Sequence, residues 1–150
     1  MNNRRSFIIG ISSTTLSKKE KFFIKKYRPW GIILFTRNIE NITQTKKLTD
    51  EIRKIFKDKR YPILIDQEGG RVNRLRKLFN SDKLTSEFFG KLYMKDKKKF
   101  NSFYSIFTNK NALMLKMLGV NINTVPVLDL RVKGASKVIN DRSFSSDVKL

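Results

Sequence analysis

The chain has 150 residues, 39% of them hydrophobic and 11% aromatic, enough apolar material for one ordinary core and too much for a disordered segment. It holds no cysteine and no histidine, which excludes disulfides, thiolate metal sites and imidazole acid/base chemistry within these residues. Lys and Arg number 33 against 13 Asp and Glu, a formal charge of +20 that is spread from Arg4 to Lys149 rather than gathered in one stripe.

Arg4 and Arg5 precede the apolar run Phe7 to Ile11, which is shorter than the roughly 7 to 15 apolar residues of a signal peptide. No stretch approaches the roughly 20 apolar residues of a membrane span, so a cytoplasmic chain with no membrane partner is expected. Ser6 to Ile11 has the length and β-branched content of a strand, closed by Ser12 to Thr15. Ser17 and Glu20 then form a capping box with Leu16 as staple residue, and the helix that follows presents Phe23, Ile24 and Tyr27 before stopping at Pro29. Gly31 to Phe35 reads as a second strand, covered on both faces, with Arg37 and Asn38 after it. A helix from about Thr43 to Phe56 carries Leu48, Ile52, Ile55 and Phe56 on one side.

Ile63 to Ile65 is a third buried run and leads into the most polar segment, DQEGGRVNR from Asp66 to Arg74. A loop or short helix is expected up to about Leu92, then a long helix whose stripe includes Phe100, Tyr104, Phe107, Leu115 and Leu118, closed by Gly119. The densest basic run, Lys95 to Lys99, falls where that helix begins, as solvated lysines would. Val120 to Leu128 reads as a fourth strand, with Pro126 near its end. Alternating strands and helices of crossover length predict an α/β fold with a parallel sheet.

Three strands end in charged or amide groups: Arg37 with Asn38, Asp66 with Glu68, and Asp129. In a (β/α)8 barrel such residues meet at the C-terminal rim, where active sites are built, although charges also mark the point where any strand leaves the core. Asp66 and Glu68 satisfy the two-carboxylate pattern of glycosidases only if the pleat persists, and Gly69-Gly70 starts a turn directly afterwards. Asp66 suits a second role, accepting hydrogen bonds from adjacent sugar hydroxyls. Arg71, Arg74 and Arg142 each offer a planar fork of donors, and the loop Asn140 to Asp147 crowds hydrogen-bonding types around Phe144. No nucleotide-binding glycine pattern surrounds Gly69-Gly70.

Taken together, GIILFTRN (31–38), DQEGGRVNRL (66–75) and PVLD (126–129) continuing to VINDRSFSSD (138–147) resemble the N-terminal domain of family 3 glycoside hydrolases, on the side of the bacterial β-N-acetylhexosaminidases of cell-wall recycling. The resemblance implies a (β/α)8 TIM-barrel type, with about the first half present, so that residues 1–150 form the N-terminal portion of one barrel domain. It implies a retaining hydrolase that removes terminal N-acetylglucosamine from muropeptides without metal or organic cofactor. Asp66, Arg74 and Arg142 would bind the sugar, with Glu68, Arg71 and Asp129 in support. The family's later Lys-His-Phe-Pro-Gly-His-Gly loop, histidine acid/base and aspartate nucleophile find no match up to Leu150, so the chain is expected to be inactive or nearly so alone. A truncated frame, or a split gene with a separately encoded C-terminal half, would account for this. A catalytically dead sugar-binding remnant and a basic nucleic-acid-binding protein are the alternatives, the latter resting on charge alone.

Overall fold

The computed structural model describes residues 4–134 and 136–148. Four parallel strands make one sheet: β1 (Arg5–Gly10), β2 (Pro29–Leu34), β3 (Ile63–Ile65) and β4 (Ile122–Asn123), neighbours in space in the order in which the chain reaches them. Helices α1 (Lys18–Tyr27) and α2 (Ile42–Phe56) make the first two crossovers, and α3 (Ser86–Lys95) with α4 (Lys97–Leu118) makes the third. The α/β class with a parallel sheet is therefore what the alternation of patterns led us to expect.

Each helix boundary has a local chemical cause. Ser17 and Glu20 complete the anticipated capping box of α1, and Arg28, in the left-handed region, ends that helix before Pro29 opens β2. Pro29 is tolerated as the first residue of a strand. Asn41 caps α2 through Gln44 N, so the helix starts one residue earlier than its apolar spacing indicated. Thr85 caps α3 and Asp96 caps α4, which starts at Lys97, within the basic run where a helix start was expected. Gly119 closes α4 at φ 74°, where an added Cβ would collide with Thr49 Oγ1 at 2.4 Å.

The main core lies between the sheet and the helices. Ile32, Leu34, Ile63 and Ile65 meet Ile24, Leu48, Ile52, Leu115 and Leu118 there. Tyr61 is fully buried, stacks on Phe56 at 3.8 Å and donates its hydroxyl to Pro29 O at 2.9 Å. A second, aromatic cluster seats α3 on α4, with Phe89 touching Phe100, Phe103, Tyr104 and Phe107. Phe144 joins it against Tyr104, and its carbonyl lies so close to Gly90 that a Cβ there would stand 1.9 Å away.

The fourth strand is a correction. It spans Ile122–Asn123 and not Val120 to Leu128. Asn side chains flank the short backbone ladder at this edge: Asn121 N and Thr124 N donate to Ile63 O and Ile65 O, while Ile63 N donates to Asn121 Oδ1 at 2.8 Å and Gln67 N to Asn123 Oδ1 at 2.9 Å. Pro126 has no N–H to extend pairing further.

Candidate functional site

Asp66, Gln67 and Glu68 leave the C-terminal end of β3 in succession, and each anchors a different part of the rim. The Asp66 carboxylate accepts from the Thr124 hydroxyl and stands 3.6 Å from Arg74 Nη2. The Arg74 guanidinium also lies over the Phe35 ring, 5.4 Å from its centroid, and its buried Nε has no acceptor among the described residues. Phe35 receives a second guanidinium, that of Arg37, at 4.6 Å. Gly10 leaves room for this stack, since a Cβ there would meet Phe35 at 3.0 Å and Arg37 Nη2 at 3.2 Å.

Gln67 is buried and uses both ends of its amide. Its Oε1 accepts from Arg74 N at 2.8 Å and Leu75 N at 3.1 Å, while Nε2 donates to Asn73 Oδ1 at 3.1 Å. Its carbonyl accepts from Asn123 Nδ2 at 3.2 Å, which ties β4 to the same point. Gln67 thereby fixes the backbone of the residue whose side chain faces Asp66.

Glu68 takes the Arg142 fork in a bidentate pair, Nε to Oε2 at 2.9 Å and Nη2 to Oε1 at 2.8 Å. The Glu68 side chain is only 7% exposed, and that of Arg142 is 24% exposed. Hydrogen bonding to Glu68 raises the Arg142 pKa above its ordinary value, against the effect of burial, and the charges of Glu68, Asp129 and Asp66 add to the rise. Arg142 thus sits in the combined field of three carboxylates.

The two glycines after Glu68 make the turn possible. Gly69 (φ 100°) and Gly70 (φ 57°) both occupy the left-handed half of backbone space, and a Cβ on Gly69 would stand 2.3 Å from Leu84 O. Gly69 and Val72 then pair as an antiparallel bridge. This tight turn sends Arg71 away from Arg74, toward the segment that carries Arg142. Arg71 donates to the carbonyls of Lys137, Val138 and Ile139, and its Nε lies 3.0 Å from Asp141 Oδ1, off the line of a hydrogen bond. Arg71 is a staple of the 137–141 loop.

The structure therefore brings Asp66, Arg74, Glu68 and Arg142 together, with Arg71 holding the loop behind Arg142. Asp129 is exposed, lies well past the end of β4, and reaches the group through its charge on Arg142. Asn38 is not a rim group. It is fully buried, accepting from Phe35 N at 2.8 Å and donating to Ile11 O and Ser13 O, so its amide closes the β1 and β2 ends.

Gln67, Asn73, Thr124 and Phe35 were missed as contributors. Gln67 and Phe35 stood in motifs read for their charges, and Thr124 had no signal at all. A cavity of about 180 Å³ lies behind Gln67 and Glu68, walled by Phe89, Tyr104, Phe107 and Phe144. Asp66, Arg74 and Arg142 do not line it. Among the described residues no cluster of acidic side chains could hold a metal ion, and no helix is long and apolar enough to cross a membrane.

Residues 8–150 match the glycosyl hydrolase family 3 N terminal domain. The chain is 36% identical over 141 residues to a beta-hexosaminidase of Alkalilimnicola ehrlichii, covering 93% of this chain and 39% of that protein. It is 35% identical over 149 residues to the beta-hexosaminidase of Bordetella pertussis, covering 95% and 40%. NagZ from Neisseria gonorrhoeae, solved in complex with N-trifluoroacetyl-D-glucosamine, superposes with a TM-score of 0.85 at 30% identity, over 97% of this chain and 43% of NagZ. The chain spans about two fifths of the length of these relatives. The chain belongs to glycosyl hydrolase family 3, matching its N terminal domain.

Proposed function

We propose that these residues form the sugar-gripping part of a β-N-acetylhexosaminidase. In this reading Asp66 accepts hydrogen bonds from two hydroxyls of a terminal N-acetylglucosamine, while Arg74 and Arg142 orient the ring. The observation that carries it is the single cluster in which Asp66 faces Arg74 at 3.6 Å and Glu68 holds Arg142 bidentately, at the C-terminal end of a parallel sheet. A complex of NagZ with a glucosamine derivative supports the same class of ligand.

The strand order β1-β2-β3-β4 fits one arc of a (β/α)8 barrel, and we read the chain as the N-terminal portion of one such domain. Both carboxylates closest to the cluster face guanidiniums, an arrangement suited to binding and orientation rather than to proton donation. The nucleophile and acid/base of a retaining hydrolysis are accordingly assigned to residues outside 1–150. Extending the resemblance, the natural substrates are N-acetylglucosamine-bearing muropeptides released during peptidoglycan recycling, and the site of action is the cytoplasm.

Calorimetry on the folded chain tests the binding role. N-acetylglucosamine should give measurable heat, and Asp66→Asn should weaken binding by about tenfold, the loss expected for charge-assisted hydrogen bonds. Silence with a demonstrably folded sample would defeat the proposal. Robust turnover of a chromogenic N-acetylglucosaminide by the chain alone would show that the chemistry lies inside it.

A further inference from the structure

Helix α2 carries a feature that sugar binding does not use. One side of α2 and residues 57–59 after it border an open basin of about 630 Å³ lined by Lys46, Asp50, Arg53, Lys54, Lys57, Asp58 and Lys59. Its two acids are already engaged, Asp50 by Lys46 at 2.5 Å and Asp58 by Arg4. Lys54, Lys57 and Lys59 have no acidic partner among the described residues.

Arg53 is the fixed element of the basin. Its Nη2 donates to Gly119 O at 2.6 Å, which pins the guanidinium between α2 and the end of α4. Among the described residues its buried Nε has no acceptor, and Arg53 forms no ion pair within 4.0 Å. Burial lowers the Arg53 pKa, with the more distant charges of Asp50 and Asp58 pulling the other way. A cation held in this condition gains from an added anion. The last carbonyls of α2 contribute partial negative charge at this end, equivalent to roughly half an elementary charge, against four unpaired cations.

We propose that this basin binds a compact oligophosphate, with Arg53 as its fixed donor and Lys54, Lys57 and Lys59 as its mobile ones. Four cations within seven residues, Arg53 to Lys59, suit a ligand with several linked anionic groups better than a single carboxylate. The phosphate chain is the shared chemistry of an inorganic oligophosphate and of a nucleotide tail. None of the residues lining the basin belongs to the Asp66 cluster.

Titration of the purified chain with tripolyphosphate at physiological salt tests this, with adenosine triphosphate in parallel to separate a nucleotide from a free phosphate chain. Changing Lys54, Lys57 and Lys59 to Gln should weaken tripolyphosphate binding by about tenfold or more, since charged hydrogen bonds are each substantial. Changing Lys18, Lys19 and Lys98, three exposed lysines elsewhere, removes the same charge and should leave affinity within about twofold if binding is local rather than a long-range effect. Equal losses in both triple variants would reduce the effect to diffuse charge and overturn the proposal, as would an absence of binding in the unaltered chain. Arg53→Gln adds a second check: if it stays folded by near-UV circular dichroism and binds as before, the assigned donor is wrong.

Discussion

At the scale of single residues, Glu20 shows how a partly exposed carboxylate can stabilise a helix. It accepts from Ser12 N and Ser17 N, both at 2.8 Å, from Ser12 Oγ at 3.0 Å and from Ser17 Oγ at 2.6 Å. Burial pushes its pKa up, but the Ser17 and Ser12 hydrogen bonds outweigh burial and hold it at about 2 instead of 4.5. A carboxyl with a depressed folded value stabilises the fold above its unfolded value, and that stability disappears as pH falls through the folded value. Glu20→Gln should therefore cost about 1 kcal/mol at neutral pH, a capping-sized effect reduced by solvent screening. Urea titrations of both proteins should show the gap closing between pH 4.5 and about 2. A gap that does not change across that window would mean that the charge of Glu20 is not what caps α1.

At the scale of elements, the turn between β3 and α3 depends on one buried amide. Gln67→Leu would keep the volume but leave Arg74 N, Leu75 N and the Asn73 amide short of partners. Each orphaned buried group costs about 1 to 3 kcal/mol, so the three together should cost at least about 3 kcal/mol. Hydrogen exchange at the Arg74 and Leu75 amides should accelerate together. Unchanged protection there would remove Gln67 from the role assigned to it.

The same turn marks the limit of what the sequence disclosed. Apolar periodicity located α1, α2 and β3 closely because burial on one side sets those spacings, as with Leu48 and Ile52 on α2. It overextended β4, since the last backbone bond to β3 comes from Thr124 N and the next amide on the β3 side, Gln67 N, turns to the Asn123 side chain, which hydrophobic pattern does not record. Asp66, Arg74 and Arg142 were legible through motif resemblance. Their connection through Gln67, Thr124 and Phe35 was not, because it depends on where the chain returns in space. Nor could spacing show that Arg71 points to the 137–141 loop, which is decided by two glycines at positive φ.

At the scale of the whole molecule, charge opposes geometry. Within the described residues β1 pairs only with β2 and β4 only with β3, so the sheet has two open edges, a standing invitation to strand pairing between chains. A net charge of +20 keeps copies apart at low ionic strength. The screening length falls from about 10 Å at 0.1 M salt to about 3 Å at 1 M, so self-association should rise with salt. Sedimentation velocity across that range would show it. A monomer at every salt concentration would indicate that the edges are protected by other means.

The most direct measurement is a crystal structure of the chain soaked with N-acetylglucosamine. Density is expected for one sugar with its hydroxyls within hydrogen-bonding reach of the Asp66 carboxylate and with Arg74 and Arg142 at its sides. A sugar bound elsewhere on the surface, with the Asp66 cluster unchanged and unoccupied at saturating ligand, would contradict it.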